Sequence, residues 1–73
     1  RREAGLIQHF AANPDRVIGR DELYRQVWKE TLTDLGTRTV DMHIAKLRAR
    51  IEVDSANPKI IQTVRGAGYR YVP

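Results

Sequence analysis

The chain has 73 residues, 41% hydrophobic and 30% charged, and a formal net charge of +4. That is enough for one small domain, which buries only roughly 60% of the surface its unfolded form exposes and has little room for a deep catalytic pocket. The absence of cysteine excludes disulfide staples and thiolate metal clusters, no apolar run reaches the ~20 residues of a membrane-crossing helix, and no signal-peptide pattern opens the chain; the expectation is a soluble, intracellular, globular domain.

Residues 3–12 read as a first helix, with Ile7, Phe10 and Ala11 on one face at helical spacing. Asn13-Pro14-Asp15 stops it, since Asn tolerates a left-handed cap and Pro cannot continue the ladder. Val17-Ile18 is a strand stub. Gly19 precedes a second helix over about 20–29, with Asp21 and Glu22 at its positive end and Leu23 and Val27 as its apolar stripe, flanked by Tyr24 and Trp28.

Residues 30–36 show no period and end in Gly36, so they read as a loop. Thr37 is the expected N-cap of a third helix over about 38–52, with Asp41 near its positive end. Val40, Ile44, Leu47 and Ile51 form its apolar stripe, within about 60° of arc at ~100° per residue. Residues 54–59 are a turn cluster. Two short β-rich runs, 60–64 and 69–72, flank Arg65-Gly66-Ala67-Gly68 and predict a hairpin with glycines supplying positive φ. Tyr69 and Tyr71 share one strand face and are expected to pack on the third helix.

The charge is uneven along this order. Residues 1–36 carry six basic and six acidic side chains, and residues 37–73 carry seven and three, so the whole +4 lies in the second half. A basic half beside a neutral one suggests a polyanionic partner, nucleic acid being the commonest. On the third helix, Arg38, Met42, Ala45 and Ala49 point away from the apolar stripe, flanked by Thr39 and Lys46. A hydroxyl, an apolar tip and a cation on one ridge suit the base edges of a major groove, which admits one helix. Any surface helix shows polar residues outward, so the ridge alone does not decide. The order of three helices and a hairpin does more: it is the helix-turn-helix plan with a wing. Arg65 at the hairpin turn is placed to reach a minor groove, whose negative potential attracts guanidinium groups.

Other chemistry finds little support. His9 and His43 are the only histidines, with no ligand spacing between them, so no metal site is expected. Ser55 is the only serine, no nucleophile–base set is present, and an enzyme is not expected. Gly66-Ala67-Gly68 lacks the third glycine and the following helix of a dinucleotide fingerprint. No cofactor is implied. Phe10, Tyr24 and Trp28 read as core, with the Trp28 indole N–H also placed to meet a phosphate.

The segments RTVDMHIAKLRARI (38–51) and IQTVRGAGYR (61–70), supported by NPDRV (13–17), RDELYRQVW (20–28) and NPKII (57–61), resemble the winged-helix DNA-binding effector domain of OmpR/PhoB-type response regulators. The resemblance covers nearly all of residues 1–73. It implies a mainly α fold with a small β-hairpin, a winged helix-turn-helix of three helices and a C-terminal wing over about 60–72. It implies a recognition helix in the major groove of double-stranded DNA, with base contacts from the ridge matched by Thr39, Met42 and Lys46, and the wing-tip Arg65 in the minor groove. Backbone contacts would fall to Trp28, Arg38, His43, Arg48 and Thr63. The loop 29–36 (Glu30, Thr31, Leu32, Thr33, Asp34, Leu35) matches the segment that touches RNA polymerase in several relatives. Tandem binding to promoter direct repeats, a receiver domain in the parent chain, phosphorelay control in a two-component regulatory system and a cytoplasmic, nucleoid-associated location are further implications.

The pattern departs from the family in places. Met42 stands where a smaller β-branched residue is frequent, Ala45 where many relatives carry Arg or Lys, and Asp15 where Gly is frequent. The four-stranded sheet that precedes the first helix in relatives has no counterpart in these residues, which implies a fragment of marginal stability with incomplete cover over Leu6, Ile7 and Phe10. Two other readings remain open from sequence: a winged-helix protein-interaction module using the third helix or the 29–36 loop without specific DNA binding, and recognition of double-stranded RNA by shape.

Overall fold

A computed structural model describes residues 2–73. Its elements in chain order are α1 (Arg2–Ala12), β1 (Val17–Ile18), α2 (Arg20–Trp28), α3 (Asp34–Ile51), β2 (Ile61–Val64) and β3 (Gly68–Tyr71). The three helices enclose a core with one small antiparallel sheet of order β1-β3-β2. Ile18 and Thr63 flank Tyr69 from either side in the register. The strand stub at 17–18 is therefore the third strand of the sheet and anchors the hairpin to the helices.

Helix α1 ends where Asn13 turns back, its backbone N–H on Phe10 O (3.0 Å) and its side-chain amide on His9 O (2.8 Å). Asp15 then takes a left-handed φ of 63°. Leu6 and Phe10 are the buried residues of α1, whereas Ile7 is 46% exposed. The face expected from Ile7, Phe10 and Ala11 is thus rotated by one position. Spacing alone allowed both faces, and packing on α2 and α3 selects the one carrying Leu6. Ile7, Phe10 and Ala11 instead edge an open apolar groove of about 200 Å³ with Leu47, Ile51 and Tyr71.

Helix α3 begins four residues earlier than its spacing suggested. Thr33 is the N-cap, its hydroxyl accepting the Gly36 N–H at 3.1 Å, and Thr37 lies inside the helix with its hydroxyl donating to Thr33 O. The loop is therefore 29–33, and Asp34 and Leu35 belong to the first turn of α3. Gly36 is a contact residue and not a helix breaker: a Cβ there would lie 3.0 Å from Tyr24 Cζ and 3.2 Å from Leu32 Cδ1. The glycine lets the Tyr24 ring lie on the helix backbone. Val40, Ile44 and Leu47 are buried and Ile51 half-buried, as the stripe predicts.

The hairpin turn closes with Ala67 N–H on Val64 O at 3.0 Å and a positive φ of 73° at Gly66. Gly68 lies in β3 and not in the turn, with φ at 137°. A Cβ on it would overlap the carbonyl of Ile18, so the glycine is what lets β3 approach β1. Leu6, Phe10, Ile18, Leu23, Tyr24, Val40, Ile44, Leu47, Ile61 and Tyr69 form one core, with no buried charged residue among the described residues.

Candidate nucleic-acid interface

Burying Val40, Ile44 and Leu47 turns the opposite face of α3 outward. Arg38, Met42, Ala45, Lys46 and Ala49 are exposed along it, Met42 at 60%. Thr39 is half-buried on the flank, its hydroxyl donating to Leu35 O at 2.9 Å and keeping its lone pairs for a donor.

One flank of this ridge is built on aromatics. Tyr24 and Trp28, one turn apart on α2, stack at 5.2 Å between centroids. Trp28 meets the His43 ring edge-on at 5.0 Å. His43 Nδ1 lies 2.9 Å from Thr39 O, a contact that requires the proton on Nδ1. The guanidinium of Arg2 lies 5.4 Å above the Trp28 ring and donates to Val27 O at 3.2 Å.

The other flank joins α3 to the wing. Arg48 donates through Nε (2.9 Å) and Nη2 (2.7 Å) to Ile61 O, and through Nη2 to the Thr63 hydroxyl at 2.9 Å. Its guanidinium also lies 5.3 Å over the Tyr69 ring. Arg48, read from sequence as a backbone contact, is thus already engaged within the domain, and only Nη1 is uncommitted. Tyr69 Oη donates to Asp41 Oδ1 at 2.6 Å, and Asp41 also pairs with Arg20 at 3.3 Å. Burial, reinforced by the Asp41 carboxylate, pushes the Tyr69 hydroxyl up to about 12, so it stays a donor. Asp41 therefore acts well inside α3 as a tie to β3 and α2, and not at the helix dipole as its spacing from Thr37 suggested.

At the end of α3, Glu52 gathers the backbone N–H groups of Lys59 (2.8 Å), Ile60 (3.0 Å) and Ile61 (2.8 Å). Burial alone would raise its carboxyl, but those three donors outweigh it and lower it. This fixes where β2 starts. At the tip of the hairpin Arg65 is exposed. In the segment before α3, Glu30 accepts from Tyr24 Oη at 3.3 Å, Leu32 packs against the core, Thr31 is exposed and Leu35 is 73% exposed.

The fold thus gathers Thr39, Met42 and Lys46 on one ridge, with Trp28, Arg38 and His43 beside its first turns and Arg48 and Thr63 on the wing side. Arg65 stands apart at the tip. Sequence reasoning missed Arg2, Arg20, Asp41 and Glu52 as residues that shape this surface. Each acts through a partner distant in the chain, and no local pattern signals such a pair.

The family described as "Transcriptional regulatory protein, C terminal" matches residues 1–71. The chain belongs to this family. As a member, it is an OmpR/PhoB-type winged-helix effector domain, the fold its resemblance implied. It is 44% identical over 68 residues to the transcriptional regulatory protein YvrH of Bacillus subtilis, covering 93% of this chain and 28% of that protein. The Klebsiella pneumoniae RstA DNA-binding domain, solved in complex with the RstA box, superposes with a TM-score of 0.86 at 27% identity, over 97% of this chain and 69% of that one. The DNA-binding domain of response regulator AdeR, solved with an intercistronic region, gives 0.80 at 30% identity, over 99% and 69%. This winged-helix domain therefore spans less than a third of the curated relative YvrH and about two thirds of the solved effector domains.

Proposed function

We propose that the chain reads double-stranded DNA for a bacterial two-component transcription regulator. Helix α3 enters the major groove, where Lys46 meets an acceptor edge, Met42 an apolar surface such as a thymine methyl, and Thr39 a donor. Arg65 enters the adjacent minor groove. Trp28, Arg38, His43 and Thr63 hold phosphates. Arg48 sets the angle between helix and wing and offers Nη1 to the backbone. The observation that carries this reading is that the exposed ridge of α3 and the wing are locked into one surface by the Arg48–Ile61–Thr63 bonds.

Two features extend the reading. Leu35, 73% exposed at the start of α3 beside the 29–33 loop, supports a protein contact there, and RNA polymerase is the partner that suits a promoter-bound regulator. The relatives' regulatory role suits tandem binding to direct repeats and an upstream receiver domain. Both suit a protein that works in the cytoplasm, on the nucleoid.

The test is selection of duplex DNA from a random library, followed by titration of the selected site and of random DNA at several salt concentrations. A selected site bound at least ~10³-fold tighter than random duplex is expected. Lys46→Ala should cost about 1–3 kcal/mol and relax preference at one base pair. Absence of any salt-dependent affinity for duplex DNA would favour the protein-interaction reading, and preference for duplex RNA of the same sequence would favour shape recognition of RNA.

A further inference from the structure

The residues matched to the family's contacts leave two cations of one strongly cationic concavity, Arg2 and Arg50, unassigned. On α3, positions 39, 43, 46 and 50 follow the same spacing as the core stripe, turned by ~100°. Arg50 therefore continues the Thr39–His43–Lys46 ridge one turn further toward the C-terminus. The first turn of α1 meets this ridge: Arg50 Nε lies 3.5 Å from Glu3 Oε1, and Arg50 is 75% exposed. Arg2 leans over Trp28, which in turn touches His43. Together Arg2, Glu3, His43, Lys46 and Arg50 line an open groove of about 320 Å³.

Three permanent cations face one carboxylate there. Gathering like charges in a concavity is unfavourable for the free protein and focuses a positive field into the groove, which raises the local concentration of anions. Lys46 and His43 form one wall of the groove, and Arg50 carries it one turn past Lys46, the last base-reading residue on α3. An anion bound there would be the sugar–phosphate backbone as it leaves the major groove.

We propose that Arg2 and Arg50 form a phosphate cradle that extends the DNA contact from α3 onto the start of α1. Glu3 orients Arg50 across the groove, and the stack of Arg2 on Trp28 holds the second cation in place. The cradle adds affinity without sequence preference, since phosphates are the same at every step. This inference rests on the DNA-binding reading above.

The test uses the full chain with the selected duplex and a random duplex. Binding is measured from low to high salt for the parent protein, Arg50→Gln, Arg2→Gln and a control, Lys59→Gln, which removes a cation that does not line the groove. The parent is expected to bind with a steep inverse dependence on salt; no binding by the parent would sink the DNA reading itself. Given that binding, each arginine variant is expected to lower the salt slope by about one. Each should weaken the selected and random duplexes by the same factor, with base preference unchanged. A parent that binds steeply, with either arginine variant indistinguishable from Lys59→Gln, overturns the cradle. Thermal unfolding of each variant separates loss of contact from loss of fold, and exposed Arg50 is expected to leave the midpoint unchanged.

Discussion

Arg48 on α3 and Thr63 on β2 meet at 2.9 Å, and the same guanidinium holds the Ile61 carbonyl next to it. Residues 15 positions apart in the chain thereby fix the recognition helix and the wing as one body. The wing is expected to bind as part of α3 and not as a separate arm. Arg48→Ala should lower unfolding stability by about 1–3 kcal/mol, the usual range for bonds to a charged donor. It should also reduce what Arg65 contributes: in a double-mutant cycle with Arg65→Ala, the two losses of DNA affinity should sum to more than the loss of the double variant. Strict additivity would show that the wing keeps its place without Arg48.

Helix α3 is capped by Thr33, whose hydroxyl accepts the Gly36 N–H. Thr33→Ala should destabilise the domain by about 1 kcal/mol, whereas Thr37→Ala should cost only a few tenths. Denaturant titration of the two variants compares them directly. The reverse ranking would return the start of α3 to residue 38 and lengthen the loop.

Gly66 and Gly68 differ in what they permit. Gly66 has a left-handed φ of 73° with open space around its α-carbon, so Gly66→Ala should cost about 1 kcal/mol from backbone strain alone. At Gly68 a Cβ would collide with the Ile18 carbonyl, so Gly68→Ala must also part β3 from β1. A melting-temperature loss at least twice that of Gly66→Ala is expected, with loss of amide protection at β1.

Glu22 ties the end of α1 to α2. Arg16 donates both of its terminal nitrogens to the carboxylate, and His9 Nε2 reaches it at 2.6 Å. Hydrogen bonding from Arg16 is the main cause that draws the Glu22 carboxyl down to about 2, against the opposing effect of burial and with further help from His9. The folded value is depressed, so the stabilisation is fully present above the unfolded carboxyl's value near 4.5 and is lost as pH falls toward about 2. Glu52, lowered by its three backbone donors against its burial, acts in the same direction. Unfolding free energy measured across this window should fall by about 1–2 kcal/mol on account of Glu22, once solvent screening of the half-exposed Arg16 is allowed for. Glu22→Gln should flatten that fall.

How much of this was legible beforehand differs from element to element. The third helix was plain because its four apolar residues recur at a helical period and its polar ridge follows by geometry. The hairpin was plain because β-branched runs flank a glycine-rich turn. Both signals are local, carried by neighbours within a few residues. Family membership was legible for the same reason, since it rests on contiguous motifs at 38–51 and 61–70.

Tertiary contact decided the rest. Thr37 reads as the N-cap from local sequence, but with the Tyr24 ring packed on Gly36 the helix starts at Asp34 and Thr33 caps it. Ile7 and Leu6 are equally apolar, and only docking on α2 and α3 buries one of them. Arg48 looks like a surface cation until β2 brings the Ile61 carbonyl within 2.7 Å of it. Asp41 looks like a dipole residue until Tyr69 arrives from 28 positions away. Periodicity reports which face of a segment is apolar, because that depends on bond geometry alone. A side chain's partner depends on which distant backbone the fold delivers to it, and no stretch of local sequence carries that information.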